Sequence, residues 1–67
     1  MAIGEQIKRV RERKVFGQAE LARKAGISPN TLYRIEAGDH DPRPVTIRKI
    51  AEALGIDPGE LVGESST

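Results

Sequence analysis

The chain has 67 residues, of which 37% are hydrophobic, 31% are charged and 3% are aromatic. It contains no Cys and a single His, which argues against a disulfide framework and against a Cys or His metal cluster. A chain of this length forms one small domain with a limited core, so a deep active-site cleft is not expected. The longest apolar run is only three residues, Met1 to Ile3, which is too short for a signal peptide or a membrane span. We therefore expect a cytoplasmic protein.

The charges are segregated along the chain, although the net charge is only +1. Residues 1–49 hold all 11 Lys and Arg and six acidic residues, which gives this part a net charge of +5. Residues 50–67 hold the other four acidic residues and therefore carry −4. This distribution indicates either an anionic partner for the first three-quarters of the chain or a solvated surface whose charges happen to segregate.

Apolar residues recur at helical spacing along the whole chain, which predicts an all-α fold of five helices. The first helix follows from the i, i+4, i+7 stripe of Ile3, Ile7 and Val10. Gly17 separates it from a short second helix, which begins at Gln18 and ends at Gly26. Its predicted buried residues are Leu21, Ala22 and Ala25.

A third helix begins immediately after this turn. Ser28 is a favourable N-cap, and Pro29 fits the first helical position that follows it. The helix is expected to continue to Ala37, with Gly38 as its C-terminal cap. The third helix must therefore start at a sharp angle to the second.

The rest of the chain predicts a loop and two further helices. The loop covers residues 39–44, and the fourth helix runs from about Pro44 to Gly55. Its apolar stripe consists of Ile47, Ile50, Ala51 and Leu54. Asp57 and Glu60 resemble a capping box that opens a one-turn fifth helix ending at Val62. We expect one domain over residues 1–62 and a flexible tail over residues 63–67.

The second and third helices, joined by a short turn that contains glycine, have the form of a helix-turn-helix. The same apolar stripes also occur in an ordinary helical hairpin. What favours the helix-turn-helix is the outward face of the third helix, which has no acidic residue and consists of Asn30, Tyr33, Arg34 and Ala37. Asn can bond adenine, Arg can bond guanine, and Pro29 could contact a thymine methyl. The alternative for Tyr33 is that it packs over a neighbouring helix.

Arg11 and Glu36 each lie four residues after an apolar residue, so both charges fall on the buried stripes of their helices. A charged side chain in that position needs a partner. The simplest solution is a salt bridge between Arg11 and Glu36. It would join the first helix to the third and fix the orientation of the third.

Three segments at matching spacing, Gln18–Ser28, Thr31–Gly38 and Ile50–Ile56, resemble the Cro/C1-type (XRE) helix-turn-helix family. The resemblance covers residues 3–62. It implies a compact, five-helix, lambda-repressor-like domain that binds double-stranded operator DNA through the major groove and represses transcription. It also implies a homodimer on an inverted repeat. Pro58 and Glu60, on the outward side of the fifth helix, would make the self-interface small and could limit pairing to the operator.

The resemblance also assigns roles to individual residues. The implied base-reading residues are Pro29, Asn30, Tyr33 and Arg34. The implied contacts to the DNA backbone are Gln18, Ser28, Thr31, His40 and Arg43. The Arg11–Glu36 bridge agrees with the family pattern. Pro29 departs from it, since many relatives carry a long polar residue there, and simple solvation is the alternative for Gln18 and His40.

The sequence therefore favours a sequence-specific transcriptional regulator that needs no metal, cofactor or small-molecule ligand. An enzyme is not expected, because the chain offers no Cys nucleophile, metal-ligand cluster or glycine-rich phosphate loop. The main alternative is an antitoxin or scaffold-type protein-interaction module with autoregulatory DNA binding. An exposed apolar patch or an added partner-binding segment would favour that alternative.

Overall fold

The computed structural model describes residues 3–62, which form five α-helices. These are α1 (Ile3–Arg13), α2 (Gln18–Ala25), α3 (Pro29–Glu36), α4 (Pro44–Leu54) and α5 (Pro58–Val62). Residues 3–62 contain no strand, which confirms the all-α prediction. None of the helices in this range is long and apolar enough to cross a membrane. The predicted tail, residues 63–67, lies outside the described residues.

Three of the turns between helices hold a glycine in the left-handed conformation within two residues of the end of the preceding helix. Gly26, Gly38 and Gly55 have φ angles of 76°, 81° and 75°. At the first of these, the N–H of Ile27 donates to the carbonyl of Ala22 at 2.9 Å, which satisfies a carbonyl at the end of α2. The predicted stops of α2 and α4 are confirmed, whereas α3 ends at Glu36, one residue before the predicted Ala37.

The core forms where the helices pack on one another. α2 packs against α3 and α4, while α1 packs against α3 and α5. The buried apolar residues are Ile7, Val10, Leu21, Ala22, Ala25, Leu32, Ile35, Ile50, Ala51, Leu54 and Leu61. Ile3 and Ile47, which were predicted on the same stripes, are only partly buried at the edge of this cluster. Since α3 is held by α1 and α2 from the inside, its other face remains at the surface.

The turn between α1 and α2 is built on Val15, whose φ angle of 62° places a β-branched residue in the left-handed region. Its N–H donates to the carbonyl of Glu12 at 3.0 Å, and the N–H of Phe16 donates to the carbonyl of Arg11 at 3.0 Å. The hydrogen-bond pattern is therefore the one seen at the glycine turns. Because the Val15 side chain is 86% exposed, it gains little packing in return for the steric cost.

Replacing Val15 by Gly is expected to raise the free energy of unfolding by about 1 kcal/mol, because the left-handed conformation costs an L-residue roughly 1–2 kcal/mol. The greater freedom of glycine in the unfolded chain offsets part of this gain. Thermal and urea unfolding would measure the change. Val15→Ala, which keeps the Cβ atom, is the matched control and should give a smaller gain. Equal gains from the two variants would contradict the backbone explanation.

Candidate nucleic-acid interface

The start of α3 is fixed by a local hydrogen-bond pattern. Ser28 is the N-cap residue, and its Oγ accepts a hydrogen bond from the N–H of Thr31 at 3.1 Å. The hydroxyls of Ser28 and Thr31 are also hydrogen bonded to each other at 3.1 Å. Pro29 occupies the first helical position, where its missing N–H costs nothing. This arrangement sets the first turn of α3 at the surface.

The four residues predicted to face DNA bases lie on one exposed face of α3. Leu32 and Ile35 anchor the opposite face in the core. The exposed residues are Pro29, Asn30, Tyr33 and Arg34. Tyr33 is 59% exposed, so it is not covered by a neighbouring helix, as the alternative for this residue required.

Arg34 has an acidic neighbour that the helical pattern did not predict. Its Nε lies 3.6 Å from Oδ2 of Asp39, just beyond the end of α3. The two side chains are 52% and 71% exposed. An exposed ion pair of this kind contributes little to stability and breaks easily. Arg34 can therefore exchange Asp39 for another acceptor.

A second group of polar side chains lies where α1, α2 and α3 meet. Arg11 donates from Nε to Oε2 of Glu36 at 2.7 Å and from Nη2 to Oε1 at 3.1 Å, which forms a two-pronged ion pair. The third Arg11 nitrogen, Nη1, donates to the backbone carbonyl of Phe16 at 2.7 Å. Both charges are largely removed from water, since the side chains of Arg11 and Glu36 are 10% and 3% exposed. The structure thus brings together the two residues that their stripes predicted to pair.

Gln18 joins this group, which the sequence pattern did not predict. Its Nε2 donates to Oε1 of Glu36 at 3.0 Å. Gln18 is the first residue of α2, and its predecessor, Gly17, has no side chain with which to cap the helix. The carboxylate of Glu20 bonds back to the Gly17 N–H at 3.3 Å. Gln18, the predicted phosphate contact, therefore lies next to the predicted salt bridge between Arg11 and Glu36.

His40 and Arg43 lie apart from this group, in the segment between α3 and α4, and both are exposed. Arg43 is the N-cap residue of α4, in an extended conformation, with Pro44 as the first helical residue. Its side chain does not cap the helix. Both side chains are therefore available at the surface.

The approach of α1 to α3 depends on Gly4, a residue that the apolar pattern did not identify. Gly4 is buried, and a Cβ atom at this position would overlap the backbone carbonyl oxygen of Ile35. Only glycine allows the two backbones to come this close. The sequence did contain one sign of this close contact, namely a glycine inside a predicted helix. Glycine is unfavourable in a helix unless packing requires it.

Gly4→Ala is expected to lower the free energy of unfolding by about 2 kcal/mol, because the added methyl group forces α1 away from α3. Chemical denaturation would measure the loss. Gly59→Ala in α5 is the matched control, since a Cβ atom there meets no neighbour within 4 Å. The control should be neutral or slightly stabilising. Equal stability of the two variants would contradict the close approach.

Arg11→Ala is expected to lower the free energy of unfolding by about 3–5 kcal/mol, because it leaves the buried Glu36 carboxylate without its cation. A melting curve followed by circular dichroism would measure the loss. Arg13→Ala, at the exposed end of the same helix, removes an equal charge without touching Glu36. A melting temperature close to that of Arg13→Ala would show that the ion pair is not needed for folding.

Comparison with known proteins finds relatives that are named as repressors. A family model described as helix-turn-helix matches residues 7–61. The immunity repressor protein of Bacillus phage phi105 is 36% identical over 66 residues, which cover 98% of this chain and 46% of the repressor. The HTH-type transcriptional repressor RghR of Bacillus subtilis is 41% identical over 56 residues, which cover 82% of this chain and 42% of RghR. The chain thus spans less than half the length of these two relatives.

A solved structure of similar length shows the same fold. The restriction-modification controller protein C.AhdI from Aeromonas hydrophila matches with a TM-score of 0.87 and 32% sequence identity. The match covers 90% of this chain and 91% of the controller protein. The similarity therefore extends over nearly the whole of both molecules.

Proposed function

Because the chain belongs to the Cro/C1-type (XRE) helix-turn-helix family, we propose that it is a DNA-binding transcriptional regulator that represses transcription from a specific operator. The observation that carries the proposal is the face of α3 made of Pro29, Asn30, Tyr33 and Arg34, which is exposed and has no acidic residue. An α-helix fits the major groove of B-DNA. The α3 helix is held in place by α1 and α2, which pack against its inner face and leave its outer face exposed. We propose no catalytic activity, in line with the family.

In the proposed complex, the α3 face lies against base edges in the major groove. Asn30 can donate to and accept from an adenine, and Arg34 can donate two hydrogen bonds to a guanine. Pro29, at the start of the helix, offers an apolar surface to a thymine methyl group. Tyr33 lies one turn further along and offers both an aromatic ring and a hydroxyl.

The DNA backbone would be held by residues on both sides of α3. We propose Gln18, Ser28, Thr31, His40 and Arg43 for these contacts. The Ser28 and Thr31 hydroxyls use one hydrogen between them, which leaves the other free to donate to a phosphate. Arg43 adds a positive charge at the entrance to α4, where free helix N–H groups also favour an anion. These contacts would fix position and carry no sequence information.

We further propose that two copies bind an inverted repeat, with half-sites one helical turn, about 34–36 Å, apart. An apolar groove of about 400 Å³ lies between α4 and α5 and is lined by Pro44, Ile47, Arg48, Pro58, Gly59 and Val62. Of its lining residues Val62 is an exposed hydrophobic residue, and so is Val45, the residue that follows Pro44. This surface is the first candidate for the contact between two copies. A regulator of this type would act in the cytoplasm.

The same groove is the observation that favours the alternative function. An exposed apolar surface of this kind can also receive another protein, as an antitoxin or scaffold-type module would require. Both functions are compatible with DNA binding through α3. They differ in what occupies the groove, which is a second copy of this chain in the first function and a different protein in the second.

Selection of duplexes from a random library, followed by titration of the selected sequence at two salt concentrations, tests the proposed function. We expect enrichment of an inverted repeat and an affinity that falls steeply as salt rises, because phosphate contacts release counterions. Weak binding without sequence preference would contradict the proposal. It would move the assignment to a protein partner.

On the selected operator, Asn30→Ala and Arg34→Ala should each weaken binding by about 1–3 kcal/mol and relax sequence preference. Gln18→Ala should instead weaken all sequences alike, because it removes a phosphate contact. Lys49→Ala, at an exposed position of α4, is the control for the loss of one positive charge. Equal losses on the operator and on random DNA for the two α3 variants would contradict the assignment of base contacts.

A further inference from the structure

The carboxylate of Glu36 is the common acceptor of two side chains that come from different helices. Its Oε2 accepts from Arg11 Nε, and its Oε1 accepts from both Arg11 Nη2 and Gln18 Nε2. A carboxylate can accept about four hydrogen bonds, so three donors fit on it without conflict. A neutral amide could not replace it, because one of its two heavy atoms is a donor. The arrangement therefore requires Glu36 to be a carboxylate.

This arrangement fixes which way the Gln18 amide is turned. An ionised carboxylate has no hydrogen to donate, so Gln18 must present its nitrogen to Glu36 and not its oxygen. One of the two N–H groups is used in this bond. The other N–H is left as the only side-chain donor that Gln18 can offer to a phosphate. Without Glu36, the amide could turn freely and offer a phosphate its oxygen, which a phosphate repels.

Gln18 and the carboxylate that holds it line the same open recess at the surface. An open recess of about 180 Å³, lined by Lys8, Gln18, Tyr33, Glu36 and Ala37, lies at the junction of α1, α2 and α3. The Glu36 side chain is 3% exposed, and Arg11 neutralises its charge. Lys8 adds an exposed positive charge on the α1 side of the recess. A phosphate at this recess would therefore find donors in Gln18 and Lys8, while Arg11 offsets the charge of Glu36.

We infer that Glu36 is a positioning residue for DNA binding, which acts by holding the Gln18 amide with one N–H free for a backbone phosphate. The inference rests on the proposed function. It assigns Glu36 a second role besides the ion pair with Arg11. The buried ion pair of the fold and the DNA surface thus share one carboxylate.

Glu36→Gln tests this role, since its two possible effects on DNA binding have opposite signs. Removal of a negative charge near a polyanion should by itself strengthen binding. Loss of the positioning carboxylate should instead weaken it by about tenfold, the equivalent of one hydrogen bond to a charged group. We expect the weakening. Glu5→Gln, beside a neighbouring recess that Glu36 also lines, is the matched control and should bind DNA as well as the parent or better.

A double-mutant cycle separates positioning from a general loss of structure. Gln18→Ala alone should also weaken binding by about tenfold. If Glu36 acts through Gln18, Glu36→Gln should have little further effect in the Gln18→Ala background. Losses that multiply to about a hundredfold would overturn the inference. Leu54→Ala, a core variant in α4, is the control for a loss of stability alone. Its loss of DNA binding should multiply with the loss caused by Gln18→Ala.

Spectroscopy of the free protein provides a test that does not depend on DNA. In the parent, one of the two Gln18 side-chain amide protons should exchange with water more slowly than the other, because it is held in the bond to Glu36. Glu36→Gln should remove that protection and Glu5→Gln should retain it. Unprotected Gln18 amide protons in the folded parent would overturn the inference. If the parent itself binds no DNA selectively, the proposed function fails, whatever the state of this bond.

Discussion

The buried ion pair between Arg11 and Glu36 is the interaction on which the geometry of this small domain depends. It connects α1 to α3 through two hydrogen bonds, of 2.7 and 3.1 Å, and Arg11 also holds the turn before α2 through the Phe16 carbonyl. Removing two charges from water is costly unless their donors and acceptors are all satisfied. Within residues 3–62, every buried side-chain nitrogen and oxygen has a hydrogen-bond partner. The pair therefore contributes more to selecting one arrangement of the three helices than to the net free energy of unfolding.

Gly4 complements the ion pair at the same interface. The glycine sets how close α1 comes to α3, because its backbone lies against the Ile35 carbonyl. The ion pair, one residue further along α3, sets the register, because a two-pronged bond tolerates little sliding. A 67-residue chain has few core residues with which to fix a helix in place. One close contact and one directional contact together leave the outer face of α3 free for a ligand.

The sequence predicted what is local or periodic. Helix ends followed from glycine and proline, because Gly26 and Pro29 act through their own backbone angles. The Arg11–Glu36 bridge followed from the position of each charge on an apolar stripe. The bond from Gln18 to Glu36 and the close contact at Gly4 were not predictable in this way. They depend on how helices sit relative to one another, which periodicity does not encode.

Two residues of the proposed DNA surface are already bound to carboxylates in the free protein, with opposite consequences. Gln18 is held by a buried acceptor that Arg11 also fixes, so a phosphate would find the amide already oriented. Arg34 is held at 3.6 Å by the exposed Asp39, a pair weak enough for a guanine to replace. A backbone contact gains from rigidity, because the phosphate lies at the same place in every sequence. A base contact gains from a weak competing partner. Arg34 stays with Asp39 when the base is incorrect, and it leaves Asp39 only for a base that binds it more strongly.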